Sequence, residues 1–366
     1  MSESVLSEAW RFSFSGWRLL TVPLVAAAVT LDVLRGRAVL VFAVSAISLV
    51  PLAGLLGHAT EELAGHVGAA AGGLLNATLG NLTELIIGIL ALRQGEIEVV
   101  KASITGSIIG NLLLVFGLAA FVGGLGRERL AFSPVAVGAN TSMLFLAVVA
   151  LVMPAIFQLT VFGSLEANGL RIEHLSLWVA GVLLLSYLAS LVFMLDTHRS
   201  LFRGEAQSRP GLSKGAALTV LVVVAVLVAV ASEIMVSQIA AVTKVLGWTQ
   251  LFIGVVVVAT AGNAAEHSTA ILTARAGRMD LALHIAVGSS TQIALFVAPL
   301  LVLLSTGLSA PMSLVFHPLE IAAVILSVGA VAVVAMDGET NWLEGLQLLG
   351  VYVILAVFFE VLPVSP

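Results

Sequence analysis

Gly80-Asn81-Leu82-Thr83-Glu84-Leu85-Ile86-Ile87-Gly88 sets a carboxylate and an amide inside a run of about twenty residues that otherwise reads as apolar, membrane-crossing helix. An ionisable group at membrane depth is costly, so its presence marks a substrate or ion pathway. The stretch has a twin. The pattern Gly-Asn-x-x-Glu returns 182 positions later, at Gly262-Asn263-Ala264-Ala265-Glu266-His267. Without a gap, the same register aligns Ile89 with Ile271, Leu90 with Leu272, Arg93 with Arg275, Gly95 with Gly277, Gly106 with Gly288 and Ser107 with Ser289. Upstream, Ala59-Thr60-Glu61 matches Ala231-Ser232-Glu233. Chance supplies one such match between apolar helices, not an ordered series. The chain reads as a duplication whose halves each give one carboxylate to a shared site.

Composition agrees. The 366 residues are 60% hydrophobic and only 10% charged, with a mean hydropathy of +1.12. Soluble domains carry roughly a quarter charged residues, so this is a multi-span membrane protein without room for a separate soluble domain. No cysteine is present. Disulfides and thiolate metal sites are thereby excluded, and oxygen and imidazole remain as cation ligands. Arg11 and Arg18 before the first apolar run resemble a signal peptide, but we read that run as a retained helix.

Apolar runs separated by Gly, Pro or charge predict an all-α protein of about eleven spans: 19–35, 38–57, 70–92, 98–123, 134–157, 172–195, 213–236, 249–273, 279–304, 317–335 and 343–362. The second and seventh are expected to continue as amphipathic extensions through Glu61 and Glu233. Residues 1–37 form an N-terminal helix, 38–196 a first five-helix repeat, 197–212 a polar, basic linker and 213–366 a second five-helix repeat. Because five is odd, the second copy enters the membrane from the opposite side, which is the inverted-repeat plan of many secondary transporters. Counted on alternate sides, ten Lys and Arg fall with the N-terminus and six on the other side. This places the N-terminus and linker in the cytoplasm and the C-terminus outside.

Asn81 and Glu84 are three apart and share a helix face, as do Asn263 and Glu266. Each repeat thus offers a carboxylate with an amide behind it, and Gly80, Gly88 and Gly262 let backbones approach or the helix break. A sulfur-free, oxygen-rich, doubly acidic set suits a hard divalent cation, Ca²⁺ above all. The following helices add Ser103, Thr105, Ser107 and Asn111 in the first copy, and Ser289, Ser290, Thr291 and Gln292 in the second. Any one hydroxyl can instead bond back to its own helix, but Asn111 and Gln292 are amides whose isolation in hydrocarbon costs several kcal/mol. Glu84 and Glu266 share a low-dielectric setting where protons and Ca²⁺ compete for the same oxygens. Competition at a site open to one side at a time suffices for exchange. His267 is a proton partner, a donor behind the ligands, or a structural histidine. Glu61 and Glu233 are either solvated helix ends or acidic groups on the cation's access route. Signatures of hydrolases, metalloproteases, P-loop ATPases and dinucleotide enzymes are missing, so the reading is a gradient-driven transporter and not an enzyme, with no cofactor and no nucleic-acid partner.

The residues also resemble a known family. Asn76-Ala77-Thr78-Leu79-Gly80-Asn81-Leu82-Thr83-Glu84-Leu85-Ile86, Ser103-Ile104-Thr105-Gly106-Ser107-Ile108-Ile109-Gly110-Asn111, Gly262-Asn263-Ala264-Ala265-Glu266-His267 and Asp337-Gly338-Glu339-Thr340-Asn341-Trp342-Leu343-Glu344-Gly345 are similar to the Ca²⁺/H⁺ antiporters (cation/proton exchangers) of the Ca²⁺/cation antiporter superfamily. The likeness runs from about Leu19 to the end. It implies eleven helices, the first outside two inverted repeats. It also implies that Glu84 and Glu266 are the central cation- and proton-binding carboxylates, that Asn81, Asn263, Ser107, Asn111, Ser289, Ser290 and Gln292 surround them, and that Glu61 and Glu233 line the access routes. Family members export Ca²⁺ from the cytoplasm in exchange for incoming protons. Two features depart from the family: Leu82 stands where a small residue is usual, and the linker is short and basic where many eukaryotic members carry an acidic helix. The expectation is therefore a prokaryotic plasma-membrane protein. Exchange of another cation pair (Na⁺/H⁺, K⁺/H⁺ or Na⁺/Ca²⁺) on the same fold, or a passive cation channel, are the alternatives; a homo-oligomer is left open.

Since the natural chain lacks cysteine, single cysteines report sidedness directly. Gln94→Cys should react with an impermeant maleimide in intact cells, and Arg203→Cys only after permeabilisation; the reverse pattern would invert the topology.

Overall fold

The computed structural model describes residues 19–67, 69–163, 170–197, 211–308 and 310–362. Among them, eight helices are long and apolar enough to cross a membrane, a bent pair makes a further candidate, and two more apolar helices are shorter. Every apolar run read from the sequence is helical, but 70–92 is not one helix. The linker expected over 197–212 lies mostly outside the described residues, as do Arg11 and Arg18. The chain divides into two compact units that cut across the two sequence halves, each unit taking segments from both.

The first unit holds residues up to Glu96, Leu191–Trp248 and Ala261–Ala265. Its centre is α2 (Ala38–Gly65) packed along α8 (Lys214–Ser237), with α1 (Thr21–Val33) against α2. At about 1.5 Å per residue, the 28 residues of α2 exceed a hydrocarbon core of about 30 Å. The helix continues without interruption through Glu61 to Gly65, in line with the extension read from the sequence. Helices α3 (Ala69–Leu79) and α4 (Leu82–Arg93) form the bent pair; α3 packs on α2 and α4 on α8. A short helix α9 (Ile239–Leu246), absent from the sequence reading, follows α8 and ends on left-handed Gly247. Where the linker re-enters the structure, Leu212 donates its N–H to Glu62 Oε2 at 2.9 Å, and its carbonyl accepts His66 Nε2 at 2.7 Å.

The second unit holds the remaining elements. Its most buried members are α5 (Ile97–Gly124) and α11 (Met279–Ser305), while α13 (Trp342–Val361) is largely exposed on the apolar exterior. Helix α6 (Pro134–Phe162) packs on α11 and on α12 (Pro318–Val334), and α12 also packs on α5. Helix α7 (Leu170–Val192) begins in this unit, and its Tyr187 ring stacks on Phe296 of α11 at 5.0 Å. A two-residue antiparallel pair, β1 (Leu130–Ala131) with β2 (Glu339–Thr340), joins two connections, reinforced by an Arg129–Glu339 ion pair at 3.1 Å. It was not legible in the sequence because neither strand is long enough to show a period of two.

Helix α10 (Gln250–Arg275) meets α5 through two glycines. A β-carbon on Gly106 would fall into the backbone of Val255, and one on Gly254 into Ala102. Three π-turns interrupt the buried helices, at Gly110–Val115, Ile253–Val258 and Ile293–Val297. Such turns add a residue locally and collect at functional sites. In the 182-residue register the first and third fall at equivalent positions.

Overpacking at Gly106 should show as lost stability. Gly106→Ala should cost about 1–3 kcal/mol and lower the thermal midpoint in detergent by several degrees. Gly110→Ala, where a β-carbon meets nothing within 4 Å, should leave it nearly unchanged.

Candidate functional site

In the first unit the site is made by a helix break. Helix α3 ends at Leu79, and Gly80 and Asn81 turn the chain by about 40° before α4 begins at Leu82. Asn81, with φ −97° and ψ 21°, still gives its carbonyl to the N–H of Leu85 at 3.1 Å. Its side-chain amide turns back and donates to the Ala77 carbonyl at 3.3 Å. That carbonyl belongs to the last turn of α3, where intrahelical donors run out. Glu84 consequently sits in the first turn of a new helix, where the helix dipole favours negative charge. The Glu84 carboxylate lies against bare backbone: a β-carbon on Gly262 would stand 3.6 Å from its Oε1. Asn81 and Asn263 are both fully buried. The two Gly-Asn motifs thus supply, within this unit, one carboxylate, two amides and a glycine that leaves room beside the carboxylate.

In the second unit the site is a hydrogen-bonded chain. Asn111, inside the π-turn of α5, donates Nδ2 to Ser289 Oγ of α11 at 3.2 Å. The Ser289 hydroxyl is in turn within hydrogen-bonding reach of the Glu266 carboxylate. The order is set by chemistry, because an amide nitrogen can only donate and a carboxylate only accept. Asn111 therefore shows its oxygen on its other side, and that Oδ1 is buried. Glu266 Oε2 is buried as well and accepts no bond from a protein group among the described residues. An oxygen in that condition is ready for a cation or a proton.

The remaining predicted residues divide. Ser107 is buried on α5, and Gln292 is half-buried at the end of the α-helical part of α11. Ser290 is buried, but its hydroxyl serves the helices: it lies 2.9 Å from the Ala286 carbonyl and 3.4 Å from that of Ile108. Ser103 and Thr291 likewise bond back to Val100 and Val287. His267 is half-buried beside Glu266 in α10; successive helical residues diverge by about 100°, so adjacency does not bring the two side chains to one face. Glu61 is exposed at the end of α2, with its carboxylate 3.5 Å from His58 Nδ1, and Glu233 is exposed on α8.

Sequence reasoning overlooked Glu320. Its side chain is completely buried at the start of α12, where Oε1 accepts the Thr105 hydroxyl at 2.7 Å and Oε2 the His317 N–H at 2.9 Å. In the sequence, His317-Pro318-Leu319-Glu320 reads as an ordinary helix start, with Pro first and Glu capping, and nothing in that pattern announces burial. Lys101, one of the six Lys and Arg counted on the side opposite the N-terminus, is 5% exposed and pairs with Glu98 at 3.1 Å.

A polytopic helical protein whose membrane-crossing helices carry acids, amides and hydroxyls is of the class of membrane transporters for small cations. Comparison with known proteins makes this specific. The sodium/calcium exchanger protein family model matches residues 37–195 and 216–361, and the chain belongs to this family. A Ca²⁺/H⁺ antiporter of Synechocystis sp. is 45% identical over 338 residues, 87% of this chain and 90% of that protein. The Ca²⁺/H⁺ antiporter ChaA of Bacillus subtilis is 41% identical over 350 residues, covering 93% and 98%. The solved structure of native YfkE superimposes with a TM-score of 0.82 at 38% identity, over 94% of this chain and 99% of that one.

If Asn111 and Ser289 act as one unit, their substitutions will not add. Asn111→Ala and Ser289→Ala should each lower the thermal midpoint in detergent, and the double variant should be little worse than the poorer single; additive losses would show that the two are independent.

Proposed function

We propose that this protein is a proton-coupled Ca²⁺ antiporter that exports Ca²⁺ from the cytoplasm in exchange for H⁺ by alternating access. The observation that carries the reading is the Glu266 carboxylate, met by the Ser289 hydroxyl that Asn111 holds in turn, with its second oxygen buried and unbonded by protein groups among the described residues. The likeness to Ca²⁺/H⁺ antiporters over most of the chain supports the choice of ions.

Glu84 and Glu266 carry the exchanged charge. With Ca²⁺ bound, two carboxylates neutralise its two charges, and the carbonyl oxygens of Asn81, Asn263 and Asn111 with the hydroxyls of Ser107 and Ser289 extend the oxygen shell that this ion prefers. Ser290 and Gln292 stand at the margin of that shell, and His267 serves behind it. When the cation leaves, protons take its place on the carboxylates, because two uncompensated charges in hydrocarbon are far costlier than two neutral acids. Alternation follows: the loaded and the protonated site are both neutral and can be re-exposed to the other side, whereas the empty, doubly charged site cannot. Glu61 and Glu233, at the helix ends where α2 and α8 reach water, attract the cation toward its route.

The finer architecture belongs to the same reading. The eight long helices, the bent pair and the two shorter apolar helices together make eleven crossings, the first outside two inverted five-helix repeats. The family match in two stretches and the equivalent π-turns in α5 and α11 support this plan. The protein resides in a prokaryotic plasma membrane with its N-terminus in the cytoplasm.

Purified protein in liposomes should take up ⁴⁵Ca when a proton gradient is imposed and stop when it is collapsed, a sodium gradient failing to replace it. Glu84→Gln and Glu266→Gln should each abolish uptake. Near-normal uptake by both variants would refute the assignment.

A further inference from the structure

Glu320 is a second place in this chain where a carboxylate is withdrawn from water, and the proposed exchange site makes no use of it. Both its oxygens are engaged within the second unit: Oε2 by the His317 N–H, closing the capping box of α12, and Oε1 by the Thr105 hydroxyl of α5. The cap accounts for only one of these. A capping glutamate needs a single oxygen on the N-cap N–H, functions at the surface, and is replaceable by Gln. Complete burial and a cross-helix bond on the other oxygen are not required for that task.

The surroundings permit Glu320 to be either charged or neutral. When it is ionised, Thr105 donates to Oε1 across 2.7 Å. When Oε1 carries a proton, its O–H can donate to Thr105 Oγ1, and the Thr105 hydrogen then turns to the carbonyl of Lys101 or Ala102, each 3.2 Å away. No hydroxyl is left without an acceptor in either state, and only one O–H bond is made or broken. The residue that donates to Oε2 is nearer the surface. His317 is half-buried at the N-cap, its Nδ1 accepting the Leu319 N–H at 3.2 Å, so that its other ring nitrogen is the one able to exchange protons. Glu98, with its side chain 53% exposed, acts electrostatically on both His317 and Glu320; its partner Lys101 acts on Glu320 with opposite sign. Among the described residues, Glu98 and Lys101 from α5 and His317 from the α12 cap are the titratable or charged groups facing this carboxylate.

We propose that Glu320 is a proton-binding site distinct from Glu84 and Glu266, loaded from the aqueous side on which Glu98 lies, and that its protonation tunes exchange by reversing the Thr105 hydrogen bond that ties α12 to α5. Helix α5 carries Ser107 and Asn111, so the tie reaches the helix from which the cation's oxygen shell is drawn. Glu320 is thus a positioning residue whose occupancy follows pH. The inference rests on the proton-coupled reading above.

Two assays separate it from that reading. Exchange of ⁴⁵Ca for unlabelled Ca²⁺ across proteoliposomes needs no net proton movement, while ΔpH-driven uptake does. Glu84→Gln should lose both. Glu320→Gln preserves the cap, because its amide oxygen accepts the His317 N–H and its NH₂ donates to Thr105, which mimics the protonated state permanently. It should retain Ca²⁺/Ca²⁺ exchange within about twofold, and its ΔpH-driven uptake should no longer vary with pH on the Glu98 side over the range where the unaltered protein does. Glu98→Gln, a surface change, should move the midpoint of that pH dependence down by about half a unit to one unit, since a nearby negative charge that favours proton binding is removed. A Glu320→Gln protein with an unaltered pH profile would overturn the proposal. So would a folded one that loses both transport modes together, or an unmoved midpoint in Glu98→Gln. Should Glu320→Gln fail to fold, the Glu98→Gln midpoint decides alone.

Discussion

The cost of holding a carboxylate away from water governs this structure. An isolated charge in hydrocarbon is prohibitively unfavourable, so each intramembrane acid must be neutralised by a proton or cation, or surrounded by donors. The chain meets this requirement differently at each site. Glu84 is set at the mouth of a freshly started helix, whose dipole favours its charge. Glu266 lies within the α-helical continuation of α10 and leans instead on a borrowed hydroxyl, which is itself held by an amide from another helix.

Two residues that share the Gly-Asn-x-x-Glu pattern thereby have unlike surroundings. The first motif breaks its helix at Gly80-Asn81, and the second, at Gly262-Asn263, stays helical, with an irregularity earlier in its helix, the π-turn Ile253–Val258. The glycines carry different duties as well. Gly262 leaves space for the Glu84 carboxylate, while Gly80 ends a helix, its N–H still bonded to the Asn76 carbonyl at 2.8 Å.

Close packing of α5 supports the chemistry. Gly106 and Gly254 bring it against α10, the π-turn at Gly110–Val115 carries Asn111 toward Ser289, and the Thr105–Glu320 bond fixes it to α12. Hydroxyls with no such cross-helix task, such as Ser103 and Thr291, return to their own helices as short polar side chains in apolar surroundings do. Which polar residue works and which is merely satisfied is a matter of the partner opposite it.

The sequence by itself determined that the protein is a helical bundle in a membrane, because twenty-residue apolar runs have no other stable home. It also singled out Glu84 and Glu266, because they interrupt such runs in a repeated register. Helix ends were legible to within a few residues from Gly, Pro and charge. The tertiary structure alone decided that 70–92 bends at Gly80-Asn81, that Ser289 joins Asn111 and leans toward Glu266 while Ser290 turns to backbone carbonyls, that Lys101 is buried, and that Glu320 is a buried acid instead of a surface cap. The reason is physical. Hydropathy and periodicity are local quantities summed along the chain, whereas the fate of a polar side chain depends on which donor, acceptor or bare glycine a helix distant in sequence places a few ångströms away.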